Sequence, residues 1–140
     1  MAPQLTAEDR VEIGELLARY NQAIDHFEAE EWASLFTQDG VLSANGTVRA
    51  SGRERLAAYV ASRREAGGPH IRHVLTNIVI DPAEQGARVR AYVLAFRIDD
   101  WTGIPYVLGE YDDELVRERG AWRFRLRRMN VVAGRSATGR

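Results

Sequence analysis

Apolar and polar positions change period about halfway along the chain. Near the N-terminus Ile13, Leu16, Leu17, Tyr20, Ile24 and Phe27 recur at the i, i+3, i+4, i+7 spacing of one helix face. Thr6, followed by Glu8 and Asp9, suits the start of that helix, so the pattern predicts a first helix from about Ala7 to Phe27. A shorter helical piece from about Glu31 to Phe36 puts Trp32, Leu35 and Phe36 on one side, and Asp39-Gly40 is expected to end it. In "VLSANGTVRA" the Asn45-Gly46 pair between two apolar fragments predicts a hairpin of two short strands. "SGRERLAAYVASRREAGG" predicts a third helix, with Ser51 as N-cap, Glu54 completing a capping box and Gly67-Gly68 closing it.

From Pro69 onward the period is two. Strands are expected at about Ile71–Ile80, Arg88–Ile98, Tyr106–Arg117 and Trp122–Val132, separated by turns containing Gly or Pro. Helices first, then a run of antiparallel strands, implies an α+β domain with helices packed on one face of a curved sheet. One domain over residues 1–140 is expected, with a frayed tail at 135–140.

Composition narrows the function classes. A chain of 140 residues can remove roughly 68–70% of its extended surface from water, enough for a sizeable core. The net charge of −1 gives no reason to expect nucleic acid or an anionic membrane as partner. Absence of cysteine excludes disulfides, thiolate nucleophiles and Cys-based zinc sites. Every Lys/Arg-type cation is arginine, which excludes lysine Schiff bases and leaves planar guanidinium groups suited to carboxylates or phenolates. With no basic-then-apolar leader and no apolar run near ~18 residues, a cytoplasmic protein is expected.

Two of the three histidines fall in "PHIRHVLTNIVI". Alternation puts Ile71, His73, Leu75, Asn77 and Val79 on one strand face, and because the other face is also apolar the strand is expected to be central. His70, beside Pro69, is expected at a solvated entrance, whereas His73 is expected to be partly buried and so to need a hydrogen-bonding partner. Asp25 is the candidate. It lies about 120° from the centre of the first helix's apolar stripe, on the boundary, and if it faces the sheet it would orient the imidazole and fix its tautomer for proton transfer. A lone strand histidine or a late helix aspartate is more often structural, so the pairing decides the matter.

On the last strand Trp122, Phe124 and Leu126 alternate with Arg123, Arg125 and Arg127, which places the first set inward and the arginines in water. Continuing the alternation puts Arg128 and Asn130 on the core face, as polar groups at the end of a pocket, unless a β-bulge inverts the order. Tyr111 shares a face with Val107, Gly109 and Leu115, and Gly109 leaves room opposite. Tyr20 and Tyr59 lie on apolar helix stripes. The carboxylates of "RIDDW" and "EYDD" read as solvated turns and strand edges rather than metal ligands.

Tyr20 with Asp25, "W-x2-LF-x2-DG" from Trp32 to Gly40, "RH-x3-N" from Arg72 to Asn77, and "G-x-Y-x-D" from Gly109 to Asp113 followed by Trp122 together resemble the SnoaL-like branch of the nuclear-transport-factor-two-like superfamily. The resemblance covers nearly the whole chain. It implies a cone, in which a strongly bent antiparallel sheet and three helices enclose an apolar cavity. By similarity to scytalone and bile-acid dehydratases it implies an acid–base site at Tyr20, Asp25 and His73. By similarity to polyketide cyclases it implies chemistry without metal or organic cofactor. The expected activity is therefore that of a lyase or isomerase: dehydration, cyclisation or isomerisation of a hydrophobic cyclic or polyketide-like molecule. Asn130, Arg128, Tyr111, Asn77, Tyr59 and Trp32 would contact substrate, and the chain would form a homo-oligomer, a dimer or trimer, through the open sheet face. The second histidine of the fungal dehydratase has no counterpart after His73. "RID" at Arg97 to Asp99 is similar to part of the limonene-epoxide hydrolase site, an alternative reading, and a non-catalytic ligand-binding or assembly module is another.

Overall fold

A computed structural model describes residues 4–134. The tail expected at 135–140 lies outside the described residues. Three helices and six strands follow in the order α1 (Ala7–Asp25), α2 (Ala29–Ser34), β1 (Phe36–Ala44), β2 (Thr47–Ser51), α3 (Arg53–Ala66), β3 (Ile71–Ala83), β4 (Gly86–Arg97), β5 (Val107–Glu118) and β6 (Ala121–Gly134). The α+β class holds: one curved sheet, ordered β2-β1-β6-β5-β4-β3, carries the helices on its inner face.

Pairing is antiparallel except between β1 and β6, which run parallel. That single parallel pair joins the hairpin β1–β2 to the meander β3–β6, so the sheet is mixed. Register shifts occur in β1, in β3 between Thr76 and Val79, and twice between β5 and β6. Each extra residue bends its strand and raises the local twist, and together they curl the sheet around the helices.

Local expectations fail where tertiary contacts intervene. Asp39-Gly40 does not terminate α2 but lies within β1, where a Cβ on Gly40 would stand 2.8 Å from Phe36 Cβ. Ser51 does not cap α3. It belongs to β2, Gly52 is the N-cap at φ 87°, and no side chain caps that end. Gly67 does close α3 in the left-handed region at φ 75°, and Asn45-Gly46 turns the hairpin with both residues at positive φ. The strand carrying His73, expected to be central, is an edge: β3 pairs with β4 alone, and Val74, Ile78 and Val79 are exposed.

The core lies between α1 and the inner sheet face. Ile13, Leu17, Trp32, Phe36, Leu56, Val60, Val89 and Phe124 are completely buried. At its N-terminus α1 has a reciprocal capping box: Thr6 Oγ1 accepts from the Asp9 N–H, and Asp9 Oδ2 accepts from the Thr6 N–H, each at 2.9 Å. Asp9 also accepts from Trp122 Nε1 at 3.2 Å and pairs with Arg117, fastening the helix start to β5 and β6. The Thr6 N–H and the Arg117 guanidinium hold the Asp9 carboxyl below the usual carboxylate range. Thr6→Ala is expected to lower stability by about 1 kcal/mol in urea unfolding at neutral pH without changing the native spectrum.

Candidate active site

Asp25 is the last residue of α1 and His73 the third of β3. The helix stops there because the chain turns immediately, with Phe27 at φ 58°. Its ring packs against that of His70, with centroids 5.5 Å apart. The stop points Asp25 at the sheet, and its side chain is only 5% exposed. Asp25 Oδ1 lies 2.6 Å from His73 Nδ1, and Oδ2 accepts the His73 backbone N–H at 3.1 Å. With Nδ1 directed at the carboxylate, Nε2 is the ring nitrogen left for a ligand.

His73 lines a cleft with about 650 Å³ of empty space, its open mouth included. The walls combine Tyr20, Tyr59, Tyr106 and Tyr111 with apolar residues such as Leu42, Val93 and Met129. Burial raises the pKa of the Tyr20, Tyr106 and Tyr111 phenols, so each stays neutral and can donate a hydrogen bond well above neutral pH. No hydrogen bond joins the hydroxyls of Tyr20 and Tyr111 to other described residues, and Tyr59 Oη accepts from Arg63 Nη2 at 2.8 Å. Trp32, expected at the substrate, is fully buried behind Tyr59, stacked at 5.9 Å, and does not line the cleft.

Three other expected substrate contacts lie on the far side of the sheet. Two residues, Asn77 and Ile78, oppose Ala91 in the β3 bulge; Asn77 takes φ 54° and is exposed. On β6 the anticipated bulge occurs at Arg125, between the Leu115–Phe124 and Glu114–Leu126 pairs. One extra residue inverts the side chains that follow it, as far as the second shift at Val132. Arg128 and Asn130 therefore face outward, Arg128 bound to Glu114 at 2.8 Å, while Arg127, expected in water, is fully buried.

Arg127 was missed by alternation, and it is the main charge beneath the cleft. Its Nε donates to Asp113 Oδ1 at 3.1 Å, and both side chains are 0% exposed. The guanidinium carbon stands 3.3 Å from the Tyr111 ring centroid and 4.2 Å from that of Tyr20. Both Arg127 Nη atoms and Asp113 Oδ2 are buried without a partner. A signal was available: Asp113 shares the strand face of Tyr111 and Leu115, and a buried carboxylate demands a cation across the sheet.

The remaining carboxylate motifs disperse. Asp112 faces out to Arg88, and Asp99 holds His70 through both its ring Nδ1 and its N–H at 2.8 Å, 44% exposed and outside the cleft. His70 is solvated as expected, and His26 Nδ1 contacts only the Gln22 carbonyl. Among the described residues no group of three or more His, Cys, Asp or Glu gathers as metal ligands, and no helix is long and apolar enough to cross a membrane.

A family model described as "SnoaL-like domain" matches residues 5–128. Among solved structures, the chain is similar to a variant of Rv3472, a protein of unknown function from Mycobacterium tuberculosis, at 28% identity over 89% of this chain and 72% of that one, with a TM-score of 0.79. It is similar to a candidate scytalone dehydratase from Novosphingobium aromaticivorans at 26% identity, over 90% of this chain and 85% of that one, with a TM-score of 0.75. A protein from Catenulispora acidiphila in complex with S-DNPA is 28% identical over 90% of this chain and 95% of that one, with a TM-score of 0.73. Among curated proteins no relative matches.

Burial pushes the Asp113 carboxyl up to about 7, partly offset by Arg127. The folded protein thus keeps a proton there that the unfolded chain releases near pH 4. Its contribution to stability is complete below that pH and is lost as pH rises through about 7. Asp113→Asn is expected to flatten this part of the stability profile, read by urea unfolding between pH 4 and 8.

Proposed function

The chain belongs to the SnoaL-like domain family, and from that premise we propose that it is an acid–base enzyme acting on a hydrophobic cyclic, polyketide-like molecule by dehydration, cyclisation or isomerisation. The observation that carries the proposal is the 2.6 Å contact between Asp25 Oδ1 and His73 Nδ1 at the wall of an aromatic cleft. His73 Nε2 takes a proton from a carbon beside a carbonyl, or delivers one to a departing hydroxyl. Asp25 keeps the ring turned and supports its charge once it is protonated. The neutral phenols of Tyr20 and Tyr111 donate to oxygen as negative charge develops there. Tyr59 bounds the ring-binding space. Asn130 and Arg128, on the opposite face, have no part in this scheme.

Epoxide hydrolysis through Arg97 and Asp99 is not favoured, since Asp99 is engaged with His70 outside the cleft. On the outer sheet face Val74, Ile78, Val79 and Tyr92 are exposed, which supports pairing of two copies there and burial of that apolar surface. A species of twice the monomer mass is expected by sedimentation velocity.

A bicyclic ketone with acidic α-protons serves as a probe of proton abstraction in the cleft. The protein is expected to accelerate deuterium exchange at the α-carbon of 2-tetralone, followed by proton NMR in heavy water. His73→Gln should lower that rate by roughly 10²–10⁴-fold with the native circular dichroism spectrum retained. Exchange no faster than buffer, or unchanged in the variant, defeats the reading.

A further inference from the structure

Most arginines near this sheet are matched to carboxylates: Arg53 to Glu118, Arg88 to Asp112, Arg90 to Asp81, Arg117 to Asp9, Arg127 to Asp113, and Arg125 and Arg128 to Glu114. Arg63, in the cleft wall, and Arg97, next on the same face of β4 after the wall residue Ala95, have no carboxylate partner among the described residues. Arg63, on α3, lines the cleft and is held by Tyr59: its Nη2 donates to the hydroxyl and its guanidinium lies 4.7 Å from the ring centroid. Arg97 ends β4 opposite Ile71, itself a wall residue, so cross-strand pairing puts the Arg97 side chain on the same inner face. Its Nε is buried and unpartnered. Tyr106 also lines the cleft, and the positive charges of both arginines act against the burial that raises its phenol.

A buried guanidinium donor left unmade costs stability, and two cations around one phenol repel each other unless an anion arrives. The chain's own nearby carboxylates are committed, Asp25 to His73 and Asp99 to His70. We propose that the cleft accepts an aromatic or fused-ring molecule bearing a carboxylate, and that Arg63 and Arg97 hold this group with Tyr106 donating beside them. The proposal rests on the cleft being the substrate site and gives that site its substrate class.

Geometry also fixes the placement of the ring. Ala95 pairs with His73, and Arg97 is the next residue outward on the same face of β4. Two residues of strand span about 6–7 Å, roughly one ring width. A carboxylate at Arg97 therefore lays the adjoining ring toward His73 and the phenols of Tyr20 and Tyr111. Planar guanidinium groups suit this task because they present paired donors to a carboxylate and stack on the flanking aromatic faces.

Titration calorimetry with 2-naphthoate and its neutral analogue 2-naphthamide tests the assignment. At low salt 2-naphthoate is expected to bind about tenfold or more tightly than the amide. Arg63→Gln and Arg97→Gln should each cut naphthoate affinity several-fold and leave amide affinity unchanged, so the amide also reports that the cleft is intact. The double variant should bind both alike. Arg63 is on a partly exposed helix face, so Arg63→Gln carries the test if Arg97→Gln does not fold. Equal affinities in the parent, no binding of either probe, or a carboxylate preference that survives the Arg63 variant and the double variant overturns the proposal. His73→Gln separates the two readings: preference retained with exchange activity unaffected refutes only the acid–base role, while preference lost assigns the anion to the imidazole and refutes Arg63 and Arg97.

Discussion

A single carboxylate ties the helical layer to the free edge of the sheet. His73 lies on β3, which pairs only with β4, so alternate backbone N–H groups on β3 point away from any strand. The His73 N–H is one of these, and Asp25 Oδ2 accepts it while Oδ1 meets the ring of the same residue. An edge position is thus what makes the dyad possible: on a central strand that N–H would be spent on a neighbour. The same contact fixes where α1 ends against the sheet, hence the separation between Tyr20 on the helix and the β4–β5 wall.

Beneath and above that joint the cleft is graded in polarity. Its floor rests on the buried Arg127–Asp113 pair, whose guanidinium lies against the faces of Tyr111 and Tyr20. A cation beside these rings favours negative charge developing at their hydroxyls, which offsets some of the burial that keeps the phenols neutral. The middle is apolar, with Val93, Leu42 and Met129, Arg63 stands in the wall, and Arg97 follows the wall residue Ala95 on the same face of β4. Such an arrangement orders a ligand along one axis: anion outward, ring in the middle, reacting atom near His73 and the tyrosines.

Much of the fold was legible because helix and strand periods differ, and because Asn45-Gly46 and Gly67 need backbone conformations that few other residues accept. Strand order was not legible: both faces of β3 are apolar, which in this chain reflects a core on one side and an exposed apolar outer surface on the other. Tyr20, Asp25 and His73 were singled out by the resemblance to dehydratases, since each alone is more often structural; the structure brings Asp25 and His73 together. Arg127 could not be placed by counting. One bulge at Arg125 exchanged it with Arg128 and carried Asn130 to the outside, and bulges depend on cross-strand register rather than on local residue type. Asn77 left the inner face for the same reason.

Asp25 holds the His73 ring with Nδ1 toward its carboxylate, which leaves Nε2 as the nitrogen for the cleft. Nitrogen-15 NMR of the histidine ring reads this state directly. The expected result is a proton on His73 Nδ1, with a downfield resonance that disappears in Asp25→Asn. A ring protonated at Nε2 alone, or a spectrum that Asp25→Asn leaves unchanged, would contradict it.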